Sequence, residues 1–176
     1  MQVVMGIDPG AANLGFGLVR IEGSRMVALD GGVVETSPEL PMERRLERIH
    51  SALAELIEWH RPAAMALEDL YFGKNVHSAM AVGRASGAAM LAAAQGGVGC
   101  FTYTPQAIKK AVCGSGAAGK DQVQRMVGTL LGLPELPTPD HAADALAVAI
   151  CHGGGTGHQV AVESALKVSA GARLAG

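Results

Sequence analysis

Apolar residues follow two rhythms along this chain, and each predicts a different kind of element. Between positions 3 and 34 they form three short runs, Val3–Asp8, Gly15–Ile21 and Met26–Val34, rich in Val and Leu and separated by Gly or Gly-Ser. Such runs predict neighbouring strands in a meander. From Pro41 to His60 the spacing lengthens: Leu46, Ile49, Leu53, Leu56 and Ile57 recur at three and four residues with Glu and Arg between them. This is an amphipathic helix with one face on the sheet, and Pro62 marks its end. Ala63–Glu68 then reads as a strand, Asn75–Gln95 as a helix of small residues and Val98–Thr104 as another strand, with helices at about 106–113, 120–132 and 140–152. That order predicts a mixed α/β sheet covered by helices. Residues 154–176, Gly-rich and then mildly amphipathic, are expected to be a flexible tail, leaving 1–153 as the folded domain.

Composition narrows the picture. A chain of 176 residues fits one domain with a continuous core. Hydrophobic residues make up 49% of it, yet one Trp, two Tyr and three Phe are the only aromatics, so the core must be Ala, Val, Leu, Ile and Met. Cys100, Cys113 and Cys151 are odd in number, far apart and without C-x-x-C spacing, which argues against a disulfide framework or a zinc site and for a reducing cytoplasm. No basic segment precedes a long apolar one, and Arg84, Ser86 and two glycines break the Ala-rich run from Ala79 to Ala94, so neither a secretion signal nor a membrane span is expected. Net charge is only −2, but it is segregated. Residues 1–70 hold 6 basic and 11 acidic groups (net −5), residues 71–134 hold 6 and 1 (net +5), and the remainder 2 and 4 (net −2). The middle third is a positive band, suited either to solvating helix faces or to meeting a polyanion.

Three acids fall at the edges of elements. Asp8 ends the first strand and Glu68 the fourth, where open α/β sheets present ligand-contacting groups; a right-handed crossover makes the two strands neighbours. Asp-Pro-Gly is also good turn chemistry by itself. Glu68 sits in "MALEDLYF" among apolar neighbours, where an unpaired carboxylate is costly, so a cation is a natural companion. Asp144 belongs to the last helix, within "LPTPDHAADALAVAICH". There Thr138 is the expected cap and Pro139 the first-turn residue, and Asp140 serves either as a complement to the positive helix end or as a ligand. Both Asp140 and His141 share a helical face with Asp144, at spacings of four and three. Carboxylates and an imidazole without thiolate suit Mg²⁺ or Mn²⁺.

The stretches "GIDPGAANLGFGLV", "ALEDLYFGKN", "TPQAIKKAV", "GKDQVQRMV" and "DHAADALAVAI", in this order from about residue 2 to 153, resemble the RuvC family of Holliday junction resolvases, nucleases of the RNase H-like superfamily. The resemblance implies an RNase H-like α/β fold: a five-stranded mixed sheet, first three strands antiparallel, with helices on both faces. It implies a catalytic acidic cluster in which Asp8 and Glu68 match the first two acids, and His141 and Asp144 the pair on the final helix. Many family members carry Asp at the first position of that pair. His141 keeps the spacing of three, while Asp140 beside it stays open as the metal-touching residue. Tyr71 and Phe72 fall where the family places an aromatic against junction bases, and stacking there is worth roughly 1 to 3 kcal/mol per base. Lys109 and Lys120 match basic residues implicated in DNA contact or catalysis, with Lys74, Arg84, Lys110 and Arg125 as further phosphate partners.

What the resemblance implies of the chemistry is phosphodiester hydrolysis giving 5′-phosphate and 3′-hydroxyl ends. Two divalent ions per site would flank the scissile phosphate about 3.5 to 4 Å apart. An imidazole in the ligand set predicts a preference for Mn²⁺ over Mg²⁺. Resolution of a four-way junction takes two symmetric nicks, hence a homodimer, for which Ala79, Gly83 and Gly87 with Met80 and Met90 offer a helix face; family members act with the RuvA and RuvB branch-migration proteins. "GSGAAGKD" from Gly114 to Asp121 imitates a phosphate-binding loop but ends in Asp where Ser or Thr must hold Mg²⁺, so it is read as a loop delivering Lys120 to DNA. An actin-like ATPase would need a second phosphate loop that the sequence lacks, and a non-catalytic junction binder would tolerate loss of Asp8.

Overall fold

The computed structural model describes residues 1–69 and 76–154. Three antiparallel strands open it: β1 (Gln2–Asp8), β2 (Asn13–Glu22) and β3 (Arg25–Glu35). Helix α1 (Met42–His60) carries the chain back, so that β4 (Ala64–Glu68) lies parallel to β1. Helix α2 (Val76–Gln95) leads to β5 (Gly99–Tyr103), parallel to β4, and α3 (Pro105–Cys113), α4 (Lys120–Leu131) and α5 (Asp140–Gly153) complete the fold. The sheet order is β3-β2-β1-β4-β5, the expected meander with two parallel additions. Asn75, expected to begin the second helix, and the tail from residue 155 onward lie outside the described residues.

Alternation along the strands sends side chains to two cores. On one face Met5, Ile7, Leu14, Leu18, Met65 and Leu67 meet Ile49, Leu53 and Ile57 of α1 and the alanines of α2. On the other, Val4, Val19, Ile21, Ala66 and Tyr103 meet α3, α4 and α5. Helices therefore cover both faces. Ala, Val, Leu, Ile and Met dominate the interior, while Trp59 is 84% exposed.

Two helix ends depart from sequence-based expectation. Helix α5 is capped by Pro139, not Thr138: Pro139 is extended (φ −71°, ψ 171°) and lies outside the helix, and its carbonyl accepts from the amides of Ala142 and Ala143. Helix α1 ends on Arg61 in the left-handed region (φ 46°), a position that usually selects glycine. The "GSGAAGKD" stretch joins α3 to α4; it follows a helix, as no phosphate loop does, and Lys120 is the first residue of α4.

Helix α5 lies directly on β1 and β2 because glycines replace side chains beneath it. A Cβ at Gly6 would overlap the carbonyl oxygen of Ala145, and one at Gly15 the carbonyl oxygen of His141. The absent methyl groups bring the backbone of α5 onto the sheet, with His141 beside the end of β1.

Candidate active site

Parallel pairing of β1 with β4, Ile7 opposite Leu67, puts their last residues, Asp8 and Glu68, at the same edge of the sheet. Helix α5 delivers His141 and Asp144 to that edge from beside it. One ligand atom each from Asp8, His141 and Asp144 lie within 4.8 Å of one another, and His141 Nδ1 is 2.7 Å from Asp8 Oδ2. Glu68 stands outside this tight trio but borders the same cleft, a space of about 220 Å³ whose other walls include Lys109, Lys120, Asp144 and Ile108.

The electrostatics report how crowded the acids are. Burial, followed by the charges of Asp8 and Asp144, pushes the Glu68 carboxyl up to about 7, with Lys109 pulling the other way. Burial and Asp8 likewise raise Asp144, against Lys120 and His141. Carboxylates held up in this way are short of positive charge. An oxygen-rich donor set with one imidazole and no thiolate fits a divalent cation of the Mg²⁺ or Mn²⁺ kind, and Asp8, Glu68, His141 and Asp144 are the residues that could hold it.

Asp140 turns elsewhere. Its Oδ2 is 3.0 Å from Lys120 Nζ, and its Oδ1 accepts from Gln124 Nε2 at 2.8 Å. Lys120 also approaches Asp144, at 3.7 Å. Lys110 and Arg125 are exposed on α3 and α4, and Arg84 is exposed on α2, in the helix layer on the opposite side of the sheet. Tyr71, Phe72 and Lys74 lie outside the described residues.

Sequence reasoning missed the residues that brace the site. The Thr36 hydroxyl donates to the Ala11 carbonyl and accepts from Arg45 Nε (2.9 Å), while the Thr36 amide donates to Ala12 O (2.9 Å). These bonds tie the turn after Asp8 to the end of β3 and to α1. No local signal marks Thr36, since its partner carbonyl is 25 positions earlier. Gln124 was missed for a similar reason: its significance depends on which helix end faces it.

The sequence profile described as Crossover junction endodeoxyribonuclease RuvC matches residues 4–152. The chain belongs to the RuvC family. It is 49% identical over 151 residues to the crossover junction endodeoxyribonuclease RuvC of Pelotomaculum thermopropionicum, covering 86% of this chain and 92% of that one. Against the RuvC of Rubrobacter xylanophilus the identity is 50% over 151 residues, 86% of this chain and 84% of the other. Among solved structures, T. thermophilus RuvC in complex with Holliday junction substrate superposes with a TM-score of 0.87 at 41% identity, covering 92% of this chain and 98% of that one. The yeast mitochondrial Holliday junction resolvase Ydc2 shares the fold alone, with a TM-score of 0.61 at 11% identity over 86% of this chain and 78% of its own. RuvC proteins are divalent-metal nucleases, and the acidic group at the β1–β4 edge is this chain's candidate metal site. Among the described residues no helix is long and apolar enough to cross a membrane.

Proposed function

We propose that this chain resolves four-way DNA junctions by nicking two opposing strands, hydrolysing one phosphodiester in each to leave 5′-phosphate and 3′-hydroxyl ends. The observation that carries the reading is the convergence of Asp8, His141 and Asp144 to within 4.8 Å beside the Glu68 carboxyl. The three carboxylates among these side chains repel a phosphodiester unless cations lie between them. Asp8, Glu68, His141 and Asp144 are therefore the residues proposed to hold two divalent ions, with Mn²⁺ preferred over Mg²⁺ because imidazole is a softer donor than carboxylate. When bound, such ions activate the attacking water and stabilise the leaving 3′ oxygen.

The chain's own residues do the rest. Braced by Thr36 and Arg45, the turn after Asp8 fixes that carboxylate against His141. Lys109 and Lys120 line the cleft that holds Glu68 and Asp144, and their ammonium groups are assigned to the oxygens of the scissile phosphate. Lys110 and Arg125 extend the positive surface along α3 and α4, and Lys74 and Arg84 are assigned to more distant phosphates. Tyr71 and Phe72, in the segment joining β4 to α2, are assigned to stacking against junction bases.

Two cuts require two sites, and a homodimer supplies them. Support comes from α2: Val76, Met80, Gly87 and Leu91 share one face, and the three side chains among them are between 51% and 65% exposed. Residues 1–153 are taken as the nuclease domain and 154–176 as its tail, acting in the cytoplasm alongside the RuvA and RuvB branch-migration proteins. Asp8→Asn tests the core of the reading: cleavage of a synthetic junction is lost while junction binding is kept. In the same assay wild-type cleavage is faster in Mn²⁺ than in Mg²⁺. Full cleavage by Asp8→Asn sinks the reading.

A further inference from the structure

Asp140 is exposed, one residue from a proposed ligand, and both of its oxygens are engaged by another helix. Lys120 and Gln124 stand four apart, one turn of α4, and grip the carboxylate from the same face: the ammonium at Oδ2 (3.0 Å), the amide at Oδ1 (2.8 Å). Gln124 fixes the plane of the carboxylate, and the carboxylate fixes the ammonium. Left to itself, an exposed lysine on a flexible four-carbon stem samples many rotamers, and holding one of them costs entropy at the moment the phosphate arrives. Here Lys120 is held at the rim of the cleft, 3.7 Å from Asp144, before substrate comes. An exposed pair of this kind adds little to stability, so its consequence is positional.

We propose that Asp140, oriented by Gln124, is the positioning residue of Lys120, prealigning its ammonium for the scissile phosphate, and is not itself a metal ligand. This rests on the role given to Lys120 under Proposed function. Asp140 acts on the rate of cleavage through another side chain and leaves the cation site alone. An asparagine can take its place, because the Asn carbonyl still accepts from Lys120 while the Gln124 amide rotates to accept from the Asn amide.

A double-mutant cycle on the full-length protein tests this with junction DNA and, separately, Mn²⁺ binding by calorimetry. Asp140→Ala is expected to lower single-turnover cleavage about tenfold, the scale of a misplaced catalytic group, with junction affinity and Mn²⁺ affinity changed less than about twofold. Asp140→Asn recovers most of the rate, and in a Lys120→Ala background Asp140→Ala costs nothing further. An equal loss in that background overturns the proposal, as does an unchanged rate in Asp140→Ala or a matching fall in Mn²⁺ affinity. If Lys120→Ala alone cleaves normally, the role of Lys120 falls and the positioning of it falls too, whereas the other adverse outcomes remove only Asp140 from the account. Melting curves on Asp140→Ala show whether the fold persists, and if it does not, Asp140→Ser, which is too short to reach Lys120, takes its place in the cycle with the same expected and adverse outcomes.

Discussion

At the scale of single residues, the most informative is Glu68, whose carboxyl rises from an ordinary value of 4.5 to about 7 in the folded chain. The metal-free folded protein therefore binds that proton more tightly than the unfolded chain does. The stability Glu68 contributes is complete below its unfolded value and is lost as pH rises through about 7. Metal-free protein should accordingly melt at lower temperature as pH goes from about 5 to about 8. Glu68→Gln should flatten this dependence and raise the melting temperature at the alkaline end, while abolishing cleavage. Calorimetric titration with Mn²⁺ in buffers of different ionisation enthalpy gives the companion result, more proton release at acid than at alkaline pH. A melting temperature independent of pH, identical in wild type and Glu68→Gln, would show that burial and the neighbouring acids do not raise the Glu68 carboxyl. Asp8 and Glu68 could be singled out from the sequence because each ends a legible strand, and His141 and Asp144 because a spacing of three puts them on one helical face. Asp140 could not be placed in this way, since helix spacing allows it to face Asp144 and only the approach of α4, carrying Lys120 and Gln124, turns it away.

At the scale of elements, the site exists because α5 lies against bare backbone. The glycine spacing of β2 was visible in the sequence, but its purpose was not: nothing local says that a helix more than a hundred residues later will occupy the missing side chains. Gly15 and Gly17 face the same helix yet should differ on substitution. A methyl group at Gly15 would overlap the backbone carbonyl oxygen of His141, which cannot yield without moving the helix that carries two proposed ligands; at Gly17 it meets the Leu146 side chain at 2.8 Å, which can repack, and the Leu146 amide nitrogen at 2.9 Å, a smaller overlap with the same helix. Gly15→Ala is expected to destabilise by about 1 to 3 kcal/mol and to reduce cleavage severely, while Gly17→Ala, with the smaller backbone overlap, loses less of both. Urea unfolding and junction cleavage, measured on both, check the order; equal activity in the two would mean that the height of α5 over the sheet does not set the site. The strands and amphipathic helices were legible because period two and period three-to-four are written locally. The cap of α5 was not, because Thr138 and Pro139 satisfy the same local pattern with the helix starting at either place.

At the scale of the whole molecule, the proposed homodimer needs a surface on which two copies meet, and α2 supplies the argument for it. Its buried residues, Ala85, Ala89, Ala92 and Ala93, face α1 and the sheet. The opposite face carries Met80 and Leu91 into solvent, and a Cβ at Gly87 between them would meet nothing within 4 Å. Of the small residues spaced by four, Ala79 and Gly83 are half-buried and Gly87 is exposed, so Gly87 is the point at which a second helix could approach closely. Gly87→Arg separates folding from association on this surface. Within one subunit the arginine enters open space and replaces a poor helix former by a good one, a gain of up to about 1 kcal/mol. Between subunits it places a charged side chain where two helix backbones would have to touch, at the cost of desolvating it without a partner. The variant should melt no lower than wild type, sediment as a monomer at micromolar concentration, and still nick. On a supercoiled plasmid extruding a cruciform, where paired cuts give linear product and a lone cut gives a nicked circle, linear product should give way to nicked circle. A Gly87→Arg protein that remains dimeric and makes paired cuts places the second copy on another surface.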